Sequence, residues 1–124
     1  MSGPDLKPRA YVLAVHDLAA EAAYFIDVLG FAPAWSEPGN WQAVTRGGVQ
    51  MMLGRCPDAL PASALGDHNY FAFLATDDVD ALHAEFTGRG AIITSPPADK
   101  PWGWREMGVA TPEGRRMMFG QAIS

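Results

Sequence analysis

Only one cysteine, Cys56, occurs among the 124 residues. An internal disulfide is therefore excluded, and a reducing, cytoplasmic setting is the expectation. Positive charge is also scarce: nine Lys and Arg against 14 Asp and Glu leave a net charge of −5. The basic residues are scattered, with Arg115-Arg116 as the only adjacent pair. Nucleic acid, whose phosphates demand clustered cations, is not an expected partner. No apolar run approaches the roughly 20 residues of a membrane-spanning helix. The opening residues, Met1 to Pro8, lack the apolar stretch of a secretory signal. Histidine is sparse as well: His16, His68 and His83 are too few and too badly spaced to form a ligand set. No nucleophile with a base beside it, phosphate-binding glycine loop or carboxylate pair stands out. Cys56 has only Arg55 as a basic neighbour and reads as a plain thiol. The acidic balance suits a cationic ligand, or simply solubility.

What is present is an ordinary globular composition, 48% hydrophobic and 19% charged, enough for one domain over residues 1–124 with one real core. Residues 10–15 form an apolar, strand-forming run, and Asp17 caps a helix from Leu18 to Leu29 that Gly30 ends. Leu18, Ala22, Phe25, Ile26 and Leu29 share its inner face. Strands are predicted near 31–36, 41–46 and 49–55, with Pro38-Gly39-Asn40 and Gly47-Gly48 as turns. Residues 57–67 read as a link. The order then begins again: a strand over 69–76, a helix from Val79 to about Thr87 capped by Asp78, and strands at 91–94, 104–110 and 116–121. Val79, Leu82, His83 and Phe86 share the second helix's inner face. The halves echo each other in residues too, Gln50-Met51-Met52-Leu53-Gly54 against Arg116-Met117-Met118-Phe119-Gly120. The fold class is therefore α+β, two tandem β-α-β-β-β modules over about 9–56 and 68–122, whose sheets enclose a cleft when paired within or between chains.

This duplicated layout resembles the vicinal oxygen chelate superfamily, which includes glyoxalase I, extradiol dioxygenases and fosfomycin- and bleomycin-resistance proteins. The resemblance runs from about Ala10 to Gln121. It is carried by Asp78-Val-Asp-Ala-Leu-His-Ala-Glu-Phe86, Pro101-Trp-Gly-Trp-Arg-Glu106 and the turn and closing strand Thr111 to Gly120. With the aromatic strand 69–73, these segments look most like bleomycin-resistance proteins. Enzymes of the superfamily hold a divalent metal with His or Glu on the first and last strand of each module. The resemblance places those four positions on Ala10, Met52, Phe71 and Met118. Thioethers suit such ions poorly, and Ala and Phe offer no lone pair. Neighbouring Tyr11, Gln50, Tyr70 and Arg116 make no ligand set either. The expectation is no metal and no other cofactor at the inherited place.

Four tryptophans are many for this length, and they flank turns: Trp35 and Trp41 in one half, Trp102 and Trp104 in the other. Such rings either cap the core and fill an interface, or wall a cleft and stack on a planar or cationic ligand. The resemblance implies that Trp35, Trp41 and Phe73 face a ligand groove bordered by Trp102 and Trp104. Phe71, Met52 and Met118 would then fill the former metal place with adaptable apolar surface. Of the adjacent strand residues Arg105 and Glu106 only one can face the cleft, and Glu106 is favoured. The expected protein is a homodimer, in which the superfamily allows the first strand to be exchanged between subunits. It captures a partly aromatic small molecule without metal. The alternative is a glyoxalase- or dioxygenase-like lyase or isomerase with a displaced metal site, and a third reading is a structural or regulatory dimer with a filled cleft.

Overall fold

Alternation along the first strand decides which way it faces. In β1 (Tyr11–Val15), Leu13 and Val15 are buried while Val12 and Ala14 stand exposed, the period of two that a one-sided sheet imposes. The computed structural model describes residues 3–124. After β1 follow α1 (Leu18–Asp27), β2 (Ala32–Glu37), β3 (Trp41–Arg46) and β4 (Val49–Arg55). A short 3-10 turn at Ala62–Ala64 interrupts the link. Then come β5 (Tyr70–Ala75), α2 (Val79–Gly88), β6 (Ile92–Asp99), β7 (Trp104–Ala110) and β8 (Arg116–Ala122). The sheets run β1-β4-β3-β2 and β5-β8-β7-β6, each with its first and last strands parallel and the remaining neighbours antiparallel. The duplicated topology is that of the α+β class expected from the sequence.

Both helices begin as the sequence indicates. The Asp17 and Asp78 carboxylates accept from the amides of Ala20 and Ala81, each at 3.0 Å, which satisfies donors that the first turn leaves free. Regular α1 ends at Asp27, two residues before the expected Leu29. The Val28 and Leu29 amides both turn back onto the Tyr24 carbonyl, and Gly30 takes a φ of +75°. Arg46 of β3 donates to the Leu29 carbonyl at 2.8 Å and closes this end.

The helix-bearing faces of the two sheets meet in one core. A single buried cluster joins Phe25 of α1, Phe86 of α2, Met51 and Leu53 of β4, Met107 and Val109 of β7, and Met117 and Phe119 of β8. Polar side chains of α1 cross the seam. The Tyr24 hydroxyl donates to the Ala110 carbonyl at 2.7 Å and accepts from the Ile92 amide at 2.9 Å. Glu21, fully buried, accepts from the Glu113 amide. Arg46 and Glu85 join β3 to α2 through two hydrogen bonds of 2.7 and 3.0 Å. The opposite sheet faces carry no helix, and Val12 and Phe73 on them are 61% and 49% exposed.

β1 pairs with β4 of its own chain, Tyr11 beside Met51 through Val15 beside Arg55. Among the described residues no helix is long and apolar enough to cross a membrane.

Candidate functional site

The register locates several of the anticipated positions on the helix-free faces. On the first sheet Met52 lies between Val12 and Ala43, and Gly54 lies between Ala14 and Trp41. On the second, Met118 lies between Phe73 and Gly108, and Gly120 lies between Ala75 and Glu106. The two faces are thus equivalent position by position, with Val12 matching Phe73 and Trp41 matching Glu106. The glycines have a packing reason. A Cβ on Gly54 would lie 2.7 Å from the Trp41 ring, and one on Gly120 would meet Phe73 at 3.1 Å and Glu106 at 3.2 Å. Bare backbone at both sites lets a large side chain lie flat on the sheet.

Four of the anticipated residues come together on the second sheet. Phe73, Trp102, Trp104 and Glu106, with Ala75, line one hollow of about 420 Å³, within the roughly 300–1,000 Å³ range of small-molecule sites. Phe73 and Trp104 meet edge to face with centroids 5.8 Å apart, a favourable arrangement of their quadrupoles. Trp102 sits at the turn between β6 and β7, 64% exposed, and its indole N–H donates to Glu106 Oε2 at 2.7 Å. Glu106 itself is only 5% exposed. Its neighbour Arg105 points the other way, as alternation requires. The Arg105 guanidinium binds Asp80 of α2 at 3.0 and 3.1 Å and Asp99 of β6 at 2.9 Å, and these hydrogen bonds, Asp80 first, raise its pKa.

The other anticipated residues lie elsewhere. Trp41 borders a hollow of about 640 Å³ with His16, Asp17, Ser36, Gln42 and Arg55, near the start of α1. This space is the larger, but its walls are mixed and converge on no buried polar group. The aromatic hollow carries the more specific chemistry. Trp35 stands exposed on the edge strand β2, and Met52 is half-buried on the first sheet. Phe71 of β5 packs toward β1, in a crevice with Leu13, Ala14, Asn69 and Arg116. Met118 is half-buried beside Phe73, its register partner, with its sulfur 3.5 Å from where a Cβ on Gly108 would lie. Within one chain the anticipated site is therefore an aromatic hollow on one sheet and separate elements on the other. Ala75 and Gly120, which make room for the rings, were missed as site residues. The repeated Met-x-Gly of the closing strands was the signal available for Gly120.

The residues at the metal positions of the resemblance do not fit a metal. Ala10, Met52, Phe71 and Met118 supply two thioethers and no imidazole or carboxylate, a donor set unsuited to hard or borderline divalent ions. Among the described residues, no group of three or more His, Cys, Asp and Glu is placed to hold one. His16 is occupied structurally: its amide donates to Glu113 and its Nε2 lies 2.7 Å from the Ala59 carbonyl oxygen. Cys56 donates to Asp58 at 3.4 Å, and this hydrogen bond is the main cause of a raised thiol pKa. A raised pKa disfavours the nucleophilic thiolate.

Two β-α-β-β-β modules, each leaving a helix-free sheet face, define the glyoxalase-type fold. The chain belongs to the Glyoxalase/Bleomycin resistance protein/Dioxygenase superfamily, whose family model matches residues 8–119. Among curated proteins, none matches it. Solved structures do. The bleomycin-binding protein from bleomycin-producing Streptomyces verticillus, complexed with copper(II)-bleomycin, is similar at 25% identity. Its TM-score is 0.75, over 94% of this chain and 96% of that one. TioX from Micromonospora sp. ML1 is similar at 26% identity and TM-score 0.71, over 95% and 98%. Lactoylglutathione lyase from Agrobacterium tumefaciens shares the fold at 21% identity and TM-score 0.72, over 95% of each chain.

Proposed function

We propose that this protein is a metal-independent binding protein that captures a small, partly aromatic molecule in the groove of Phe73, Trp102, Trp104 and Glu106. The observation that carries the reading is the convergence of three rings on one open hollow above a buried carboxylate. Rings supply affinity by stacking and by removing apolar surface from water, and a few polar groups orient the ligand. Nothing about this requires bond making. A bleomycin-binding protein of the same fold, with copper(II)-bleomycin bound, supports the ligand class. Fold alone does not carry function across, as a lyase on the same fold shows.

The groove of one chain is open on one side. In our reading a second copy closes it, setting the first-sheet face with Trp35, Trp41 and Met52 opposite the aromatic hollow. Met118, half-buried beside Phe73, then serves as adaptable packing next to the ligand, and Phe71 stabilises the seam between β1 and β5. Cys56, without a disulfide partner, supports a reducing compartment such as the cytoplasm.

Tryptophan-fluorescence titration of the purified protein with bleomycin and with planar aromatic dyes tests the reading. Saturable quenching by one of them is expected, and is lost in Phe73→Ala. Absence of quenching by every probe would overturn capture. Elemental analysis of the same preparation separates it from the enzymatic alternative. Stoichiometric Zn, Ni, Mn or Fe, removable only with loss of a catalysed reaction, would favour a lyase or isomerase with a displaced metal.

A further inference from the structure

A carboxylate taken out of water is costly unless it is paired, and Glu106 is the one acidic side chain of the aromatic groove. It is 5% exposed, and its only hydrogen bond among the described residues comes from the Trp102 indole to Oε2. Among the described residues no Lys, Arg or His forms an ion pair with it. The adjacent guanidinium of Arg105 is held on the opposite face by Asp80 and Asp99. The fold does not demand a carboxylate at this place. The equivalent position of the first sheet, opposite Gly54 as Glu106 is opposite Gly120, holds Trp41. The same backbone setting therefore accepts a large apolar ring, and the charge needs another reason.

We propose that Glu106 makes the groove selective for aromatic ligands carrying a positively charged N–H group, and that the Trp102 indole N–H occupies the carboxylate until such a group replaces it. Three observations converge on this. Phe73, Trp102 and Trp104 line the space beside the carboxylate, and aromatic ring faces attract cations as well as planar groups. The Trp102–Glu106 contact is a neutral donor on a charged acceptor, and a cationic N–H in its place makes the stronger, charge-assisted bond. Trp102 is 64% exposed at a turn whose next residue, Gly103, has a φ of +86°, so its ring can leave the carboxylate without disturbing core packing. This selectivity rests on the groove binding aromatic molecules, as proposed above.

Calorimetric titration with two nearly isosteric probes separates the two ideas. 9-Aminoacridine is a cation with N–H donors at neutral pH, and acridine is neutral there. The wild-type protein is expected to prefer the cation by about tenfold or more. Glu106→Gln is expected to weaken the cation by about tenfold to a hundredfold and to change acridine by no more than about threefold. Trp102→Phe, which keeps a ring and removes the N–H, should bind the cation at least as well as the wild type. Equal affinity of the wild type for both probes would overturn the selectivity, and so would an equal loss of both in Glu106→Gln, while leaving the groove itself intact. Weaker cation binding in Trp102→Phe would overturn the exchange. Binding of neither probe would remove the groove reading together with its selectivity. The wild-type comparison decides the selectivity even if a variant fails to fold.

Discussion

At Gly120 the absence of a side chain is what shapes the groove. A methyl there would press on the Phe73 ring at 3.1 Å, on the Arg105 carbonyl oxygen at 3.2 Å and on Glu106 Cγ at 3.2 Å. The carbonyl is backbone and yields little, so the ring and the carboxylate must move. Gly120→Ala should cost about 1–2 kcal/mol of stability, as overpacking does. It should also weaken binding of an aromatic probe by about tenfold, because groove geometry is lost with it. Denaturant titration and ligand titration of the same variant read the two effects. Unchanged affinity would mean that Phe73 and Glu106 do not act together. A second residue-scale consequence concerns Glu21, buried at the seam with Oε2 unpaired among the described residues. Burial is the main cause that raises its pKa above the ordinary 4.5, outweighing Thr111, the Glu113 amide and Arg115. An acid with a raised folded pKa gives stability that is fully present below the unfolded value and is lost as pH rises through the folded one. Glu21→Gln keeps an acceptor for the Glu113 amide and removes the charge. It should flatten the fall of stability above pH 4.5 and leave the protein at neutral pH equally stable, or about 1 kcal/mol more so. Urea midpoints at acidic and neutral pH give the answer. Marked destabilisation at neutral pH would show the charge to be paired with Arg115 after all.

At the scale of elements, the two helices depend on the same device at corresponding places. Asp17→Ala and Asp78→Ala should each cost about 0.5–2 kcal/mol, with unchanged m-values in urea. A much larger loss for either would mean that its carboxylate does more than cap. The sequence made these caps legible because an acidic residue directly precedes an apolar helical pattern, and it gave the β3, β4 and β7 spans residue for residue. It was misleading where proline intervenes. β6 was expected to stop at Thr94, yet it runs to Asp99 through Pro96 and Pro97. β6 is the edge of its sheet and its register shifts on either side of Ser95, so the missing amides break no ladder that matters. β2, an edge strand of the first sheet, carries Pro33 beside a similar irregularity. Burial of Glu21 and Tyr24 was hidden for a different reason. Helical periodicity describes one apolar face, whereas α1 also touches the second module through polar atoms. The site was half legible: parity placed Glu106 on the open face, but no local pattern separates Phe71, two residues before Phe73, from the groove.

The whole molecule leaves apolar surface where a monomer gains nothing from it. Val12, Trp35, Phe73 and Trp102 are each 39–64% exposed, and Val12 and Phe73 occupy equivalent places on the two helix-free sheet faces. Exposed apolar patches of this kind mark interaction surfaces. If two copies close the groove, each sheet face meets its counterpart, and the chain of 13.3 kDa should sediment as a dimer at micromolar concentration. Val12→Lys tests the arrangement without touching the core, because its side chain points away from buried Leu13 and Val15. The charge would be desolvated only when a second chain covers it. The variant should therefore fold with wild-type stability in its monomeric form, sediment at half the mass, and bind aromatic probes about tenfold or more weakly. A wild-type monomer would leave the aromatic hollow to act alone. A dimer unaffected by Val12→Lys would place the interface on another face, and with it the wall that the groove of each chain lacks.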